Sequence, residues 1–351
     1  MTGTRKTLVY FDELVDPAAT EAMHGIAGVD AVCLSQSGNE DEIWSTLAGA
    51  HGYQCRPSTE TQKRFWPGPE FIARCPNLLA VSSAGAGYDM IDVAACNEAG
   101  ILVVNQSGAN AESVAQHVFG LALALCKQII QSDRAMRRAG RDWTRWDYVG
   151  HELTGRTIGI VGLGNIGRRI VRISRAFDMN AIAYDPYITD EDFRERGAKR
   201  VGSLAELFAA ADVVSINCPL TAETRGMVGV DLFARMKPTA LFITTARGGI
   251  HDEAALAATI AEGRIAGAGC DVFEIEPPAH DHPLLGFDNV IVSPHNAGVT
   301  DDANANMSGY AVAQWADIFA GRYPPRLRNP EVWERYRSRF AAMFGSEPAA
   351  A

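Results

Sequence analysis

Three ionisable residues stand just beyond short apolar runs in the second half of this chain. Arg247 follows Ala240 to Thr244. Glu276 follows the run ending at Cys270, past Asp271-Val-Phe. His295 follows Val290 to Val292. If those runs are parallel strands, their carboxyl ends bring the three residues to the crevice where open α/β sheets bind ligands. The chemistry this set suits is hydride exchange at a carbinol carbon. A histidine takes the hydroxyl proton or returns it, since imidazole titrates near working pH. An arginine grips a carboxylate through its planar fork and polarises the carbonyl oxygen. A glutamate beside the histidine orients the ring and favours its charged form. Such acid–base help is worth on the order of 10²–10⁴-fold in rate. Taken one at a time, these residues read as a surface ion-pair partner, a solvated acid before Pro-Pro and a turn histidine. Their joint placement at strand ends separates them from His51, His151, His280 and His282, which keep the surface or turn reading.

Hydride exchange needs a nicotinamide, and the chain carries the matching site. Thr157-Ile-Gly-Ile-Val-Gly-Leu-Gly-Asn-Ile-Gly167 is a β-branched run followed by Gly162, Gly164 and Gly167. A helix-like stretch from Arg168 to Phe177 comes next, then an apolar run from Ala181 to Tyr184 that ends in Asp185. Gly162 permits the tight turn, Gly164 lets backbone approach a pyrophosphate, and Gly167 lets the helix pack on the strand. Asp185 lies 18 residues past Gly167, where an acid meets a ribose 2′-hydroxyl. Its carboxylate repels a 2′-phosphate, and Pro186 and Tyr187 offer no cation to hold one. The site therefore reads as one for NAD rather than NADP.

Positioning these residues takes a parallel α/β framework, and the chain alternates short apolar runs with amphipathic stretches throughout. In the first block the strand candidates are Leu8 to Phe11, Ala31 to Leu34, Leu78 to Ser82 and Leu102 to Asn105. Helical stretches such as Ala18 to Ile26 and Asp41 to Leu47 separate them. Residues Asn110 to Ile130 read as one long helix, with Val114, Val118, Leu121 and Leu125 at helical spacing. Six strands are expected after it: Ile158 to Val161, Ala181 to Tyr184, Val213 to Asn217, Ala240 to Thr244, Ile265 to Cys270 and Val290 to Val292. The helical pattern from Asn304 to Ala320 must bury its apolar face, and is expected to return to the first block. Pro324, Pro325 and Pro330 break the tail, and Gly345 to Ala351 read as frayed. Arg137 to Gly150 is irregular and carries Trp143, Trp146 and Tyr148, which fits equally an interface and a satellite cluster under a loop.

Bulk properties narrow the classes. With 351 residues, 47% of them hydrophobic and 21% charged, the chain suits two globular domains. A net charge of −10 argues against a nucleic-acid surface. The densest basic stretches, Arg134 to Arg145 and Arg335 to Arg339, read as solvated helix faces. Seven cysteines without CxxC spacing suggest neither a zinc site nor a disulfide framework, and fit a reducing cytoplasm. No metal is expected. The N-terminus runs straight into a strand without a signal-peptide pattern, and the longest apolar stretch, Val118 to Leu125, is too short to span a bilayer.

Several stretches are specific as a set. They are Ala84-Gly-Ala-Gly-Tyr-Asp-Met-Ile-Asp92, Asn110-Ala-Glu-Ser-Val-Ala-Gln-His117, the glycine run with Asp185, Cys218-Pro-Leu-Thr-Ala-Glu-Thr224, Thr245-Ala-Arg-Gly-Gly249, Asp271-Val-Phe-Glu-Ile-Glu-Pro277 and Ser293-Pro-His-Asn-Ala-Gly298. Through them the chain, from about Leu78 to Gly298, resembles the D-isomer-specific 2-hydroxyacid dehydrogenases. The resemblance implies two similar doubly wound parallel-sheet α/β domains with a deep cleft between them. A Rossmann cofactor domain would span 106–299, and a discontinuous flavodoxin-like substrate domain 1–105 and 300–351. It implies that Arg247 binds substrate, His295 is the acid–base and Glu276 pairs with it. Cofactor contacts would come from Asn165 and Ile166 to phosphate, from Asp185, Pro219 and Thr224 to adenosine, and from Thr245 and Asp271 on the nicotinamide side. The amides of Ala86 and Gly87 would hold the substrate carboxylate, a role paired amides also suit on physical grounds. Asn110 would lie on the substrate side.

Departures from the pattern are few. Gln116 stands where many relatives carry Glu, and Asn296 where an apolar residue or Thr is usual; neither removes a catalytic atom. The formate-specific branch has Gln at the position of Glu276, which disfavours formate. Tyr53, Gln54, Cys55 and Arg56 occupy the loop that faces the variable end of the substrate in relatives. Arg56 reads equally as a contact to a phosphate or second carboxylate and as a surface residue beside Pro57. An aromatic crossing to a partner subunit, as in some relatives, is a role open to Trp143 or Trp146, and a homodimer is expected. The chain ends soon after its last helix, so the C-terminal amino-acid-sensing domain of some phosphoglycerate-type relatives is expected to be absent. A rival expectation from the same fold is an NAD(H)-sensing scaffold or corepressor, which would bind NADH yet turn over every 2-oxoacid poorly.

Overall fold

A computed structural model describes residues 5–12, 14, 16–57, 60–138, 140 and 143–345. The chain forms two compact units, one of Met1–Asn110 and Asp301–Ala351, the other of Ala111–Thr300.

The first unit is built on five parallel strands: β1 (Lys6–Phe11), β2 (Val29–Leu34), β3 (Gly52–Gln54), β4 (Ala80–Ser82) and β5 (Leu102–Val104). Their order is β2-β1-β3-β4-β5, a doubly wound arrangement that reverses between β1 and β3. Strand alternation splits the apolar residues between two faces. Val9, Phe11, Tyr53, Val81 and Val103 pack with Phe65 and Phe71 on one face. Leu8, Tyr10, Leu102 and Val104 pack on the other with Trp315, Ile318, Phe319, Trp333, Tyr336 and Phe340. The helix Asp301–Phe319 thus returns to cover this sheet, as its unpartnered apolar face required.

Two features of this unit differ from the sequence reading. Strand β3 is only three residues long and opens on a glycine, so it carries no apolar pattern to detect. The tail forms a further helix, Trp333–Phe344, on which Arg335 is exposed as expected but Arg339 is half-buried, and both are tied to backbone carbonyls. Arg339 donates to the carbonyls of Pro76, Leu78, Ala99 and Gly100, and Arg335 to those of Asn97 and Glu98. Four of these carbonyls, Asn97 to Gly100, lie at the C-terminus of helix Val93–Ala99, where carbonyls lack helical partners; Pro76 and Leu78 lie in the turn before β4.

The second unit has seven parallel strands: β6 (Thr157–Val161), β7 (Asn180–Tyr184), β8 (Lys199–Arg200), β9 (Val213–Ile216), β10 (Leu241–Thr244), β11 (Gly267–Cys270) and β12 (Val290–Val292). The order β12-β11-β10-β9-β6-β7-β8 reverses between β6 and β9, the Rossmann switch point. Six of these strands carry the expected apolar runs. The seventh, β8, is an exposed two-residue edge of charged side chains. The expected long helix is two: Ala111–Cys126, then Ile129–Arg137 after a 59° bend. Gln128 takes φ 51°, which no continuous helix tolerates. Val114, Val118, Leu121 and Leu125 are buried as their spacing predicts, whereas the second helix buries nothing. Among the described residues no single helix is long and apolar enough to cross a membrane.

Candidate active site

The glycine turn follows β6. Gly162 takes φ 89°, and a Cβ there would meet the Cys218 nitrogen at 3.0 Å. At Gly167 a Cβ would lie 2.4 Å from the Gly162 carbonyl oxygen, so only glycine lets helix Asn165–Ala176 start this close to the strand. Around Gly164 no heavy atom comes within 4 Å of the Cβ position, leaving the backbone open to close approach. Gly164 is also the helix N-cap and has no side chain to cap the first-turn amides. Helix geometry leaves those N–H groups without internal acceptors, so the turn fits a pyrophosphate on Asn165, Ile166 and Gly167.

Asp185, at the end of β7, accepts from the Leu163 amide at 3.0 Å and the Tyr187 amide at 3.0 Å, one through each oxygen. It braces the glycine turn, and each oxygen keeps lone-pair capacity for a ribose hydroxyl. Pro219 and Thr224 bound the turn after β9. The Thr224 hydroxyl donates to the Pro219 carbonyl at 2.6 Å and accepts from the Thr221 amide, so its evident duty is to staple that turn. Thr245, beyond β10, is 7% exposed, and its hydroxyl has no hydrogen-bond partner. A bound cofactor amide is the kind of group that would satisfy it.

The three candidate catalytic residues stand in consecutive strand-end loops. Arg247 follows β10 and donates to its neighbour's carbonyl, that of Ala246, at 2.7 Å. At Gly248 a Cβ would lie 1.9 Å from the Phe273 carbonyl oxygen, so glycine presses the Arg247 loop onto the loop that carries Glu276. Glu276 accepts from the Phe273 amide at 3.1 Å through one oxygen and meets His295 Nδ1 at 2.8 Å through the other. The carboxylate accepts only, so Nδ1 carries the hydrogen and Nε2 is left for chemistry. Burial pushes the Glu276 pKa up. The hydrogen bonds from His295 and the Phe273 amide, with the charges of His295 and Arg247, outweigh it and hold the carboxyl below its ordinary value. The structure therefore brings Arg247, Glu276 and His295 into one electrostatic set.

Asp271 does something the sequence did not reveal. It is 1% exposed and holds the His295 loop. Oδ1 accepts from Ser293 Oγ at 2.5 Å and the Asn296 amide at 2.9 Å, Oδ2 from the Ala297 amide at 3.0 Å, and the carbonyl from the His295 amide at 2.8 Å. His282, read from sequence as a turn residue, is also a brace. Its Nε2 meets Glu253 Oε2 at 3.0 Å, and Glu253 Oε1 accepts from the Glu274 amide at 2.6 Å, inside the loop that carries Glu276.

In the first unit, Ala86 and Gly87 lie in the loop after β4. Its carbonyls are pinned: Gly85 by the Gln106 amide, Ala86 by Asn105 Nδ2 at 2.6 Å and Gly87 by Ser83 Oγ. Pinning the carbonyls fixes how the loop presents its amides. Arg56 follows β3 and is ion-paired with Glu60, so its charge has a local counterpart. Asn110 is half-buried directly before helix Ala111–Cys126.

Residues 119–297 match the family model for the D-isomer specific 2-hydroxyacid dehydrogenase, NAD binding domain. The chain is 40% identical over 307 residues to the (S)-sulfolactate dehydrogenase of Chromohalobacter salexigens, covering 87% of this chain and 96% of that protein. It is 37% identical over 316 residues to the D-3-phosphoglycerate dehydrogenase of Methanocaldococcus jannaschii, covering 90% of this chain and 59% of that one. The chain spans about half the length of the curated phosphoglycerate dehydrogenases it matches. Among solved structures, the D-lactate dehydrogenase of Aquifex aeolicus complexed with NAD and lactic acid superposes with a TM-score of 0.73 at 28% identity, over 87% of this chain and 93% of that one. The chain belongs to the D-isomer specific 2-hydroxyacid dehydrogenase family. Its second unit contains that family's NAD-binding domain, and its cofactor is NAD.

Proposed function

We propose that this chain is an NAD-dependent oxidoreductase that interconverts a D-2-hydroxyacid and its 2-oxoacid. The observation that carries the reading is the His295 Nδ1–Glu276 contact at 2.8 Å, with Arg247 in the adjoining loop of an NAD-binding unit. NAD, when bound, accepts or supplies the hydride. In oxidation the substrate C–H bond breaks with its electron pair, the carbon–oxygen double bond forms, and the hydroxyl proton passes to His295 Nε2. In reduction the same nitrogen returns the proton to the carbonyl oxygen. Glu276 holds the Nδ1 hydrogen throughout and stabilises the charged ring. Arg247 binds the carboxylate and polarises the carbonyl oxygen, with the amides of Ala86 and Gly87 as further carboxylate donors. Asp185 selects a ribose diol over a 2′-phosphate.

Arg56 is our candidate reader of the substrate's far end. The phosphoglycerate and sulfolactate enzymes named above act on acids with a second anionic group. For such a substrate, Glu60 is the counter-charge Arg56 must exchange. Ile129, Met136, Trp146 and Val149, all more than half exposed in the second unit, support a homodimer. Seven free thiols and the acidic charge fit a reducing cytoplasm and a small-molecule partner, not nucleic acid. The test is NADH oxidation against glyoxylate, hydroxypyruvate, pyruvate, phenylpyruvate, 2-oxoglutarate and 3-phosphohydroxypyruvate. Turnover with one or more is expected. NADH binding without turnover on any leaves a 2-oxoacid outside the panel or the scaffold, and capture of stoichiometric protein partners would then overturn the enzyme reading.

A further inference from the structure

The stretch Asn110 to His117 carries a histidine that hydride chemistry does not use. His117 lies on helix Ala111–Cys126, half-buried, with Nε2 3.0 Å from Ser293 Oγ. Ser293 Oγ in turn donates to Asp271 Oδ1 at 2.5 Å. A hydroxyl has one hydrogen, and Asp271 takes it. Ser293 therefore faces His117 with lone pairs, and His117 must be the donor through an Nε2 hydrogen. The same nitrogen lies 3.9 Å from Asp271 Oδ1, so its hydrogen also points toward the carboxylate.

What this chain of donors supports is the loop bearing His295. Asp271 takes the amides of Asn296 and Ala297 on its two oxygens and the His295 amide on its carbonyl. His295 itself sits at φ 55°, a left-handed conformation. That conformation is strained for a residue other than glycine, and it persists only where the surroundings over-determine it. Ser113, one turn earlier on the same helix, adds a second tie by donating to the Ala297 carbonyl at 2.7 Å. Without His117, the Ser293 hydroxyl loses the donor that orients it toward Asp271. The clamp around His295 then loosens at its outer end.

We infer that His117 is a positioning residue for His295, acting through Ser293 and the Asp271 carboxylate. The inference rests on His295 being the acid–base group.

The test uses the full-length protein and the variants His117→Ala, His117→Gln, Ser293→Ala and the Ala/Ala double variant. Misplacement of a reacting group by about 1 Å costs up to ~10²-fold, so kcat of His117→Ala should fall about 10–100-fold. KM for the oxoacid and Kd for NADH should stay within about 3-fold, because neither His117 nor Ser293, the residues changed, is assigned a substrate or cofactor contact. Glutamine presents an N–H close to the imidazole Nε2 position and should recover most of kcat. Ser293→Ala should reproduce the loss, and the double variant should be no worse than the poorer single one. Independently of turnover, ¹⁵N spectroscopy of His117 should show a protonated Nε2 with a bare Nδ1 in the neutral ring, a preference that Ser293→Ala erases. If His117→Ala does not fold, Ser293→Ala and the nitrogen spectra carry the test. Wild-type kcat in His117→Ala, no rescue by glutamine at an unchanged melting temperature, or multiplicative losses in the double variant would each overturn the relay. His295→Ala separates the two failures. If it keeps turnover, the acid–base reading fails; if it is dead while His117→Ala is unimpaired, the relay alone fails.

Discussion

Replacing His251 with phenylalanine should change how stability depends on pH by an amount the structure sets. His251 lies four residues past Arg247, is 2% exposed, and has no hydrogen-bond partner for either ring nitrogen. Its ring packs against Phe242, with centroids 5.4 Å apart. Burial pushes its pKa from 6.5 down to about 4; Asp252 pulls it back and His282 lowers it further. The folded-state value is the lower one, so the unfolded chain binds the extra proton. The stability this neutral ring allows is present above about pH 6.5 and is lost progressively as pH falls toward about 4. At ~1.4 kcal/mol per pKa unit the loss reaches about 2 kcal/mol near pH 5 and about 3 kcal/mol near pH 4. Phenylalanine puts a somewhat larger apolar ring in its place, removes two buried unsatisfied nitrogens and cannot titrate. His251→Phe should therefore match or exceed the wild type at neutral pH, and its advantage should grow by about 2 kcal/mol between about pH 7 and pH 5. Urea unfolding of both proteins at stepped pH reads this directly. The comparison cancels the other carboxylates, which the two chains share. An advantage that stays flat across that range would refute the buried-neutral account of His251.

Other outcomes follow from the braces around the site. Glu276→Gln should lower kcat/KM by about 10²-fold, because an amide cannot stabilise the charged His295 ring. The stability Glu276 contributes should be present above the ordinary carboxylate pKa and vanish as pH falls through its depressed folded value, which acid unfolding of wild type against Glu276→Gln will show. Asp185→Ala should weaken NADH about 10–100-fold by fluorescence titration, the loss expected for charge-assisted bonds, while narrowing the preference over NADPH. Asp212 is pushed up by burial but held low overall by the Thr157 amide at 2.8 Å, Lys237 at 2.9 Å and Arg156. Asp212→Asn should cost about 1–2 kcal/mol in chemical denaturation at neutral pH, and the gap should close as acid protonates the wild-type carboxyl.

Much of the framework was legible because parallel strands buried on both faces advertise themselves as apolar runs. The runs at 158–161, 181–184, 213–217, 240–244, 265–270 and 290–292 all became strands, and the residues after them became the site loops. Strands β3 and β8 escaped because a strand of two or three residues, made of Gly-Tyr-Gln or Lys-Arg, has no pattern to read. The break after Cys126 escaped because Gln128 adopts φ 51° without being glycine. Arg335 and Arg339 looked solvated because their partners are carbonyls more than 200 positions away in the chain. The candidate site was legible where chemistry restricts residue type: Arg247, Glu276 and His295 were singled out by type and strand-end position, and the fold sets them in consecutive loops. The bracing was not. Nothing local in the sequence says that Asp271 is clamped to Ser293, Asn296 and Ala297, that His117 reaches Ser293, or that His282 and Glu253 tie down Glu274. Only the fold brings those pairs together.

In the proposed reaction His295, held by Glu276, moves the substrate proton. The most direct measurement is turnover and NADH affinity of His295→Ala, taken side by side on the best 2-oxoacid of the panel. We predict that kcat falls by about 10²–10⁴-fold while the Kd for NADH is unchanged. A variant that still turns over at the wild-type rate would contradict the account.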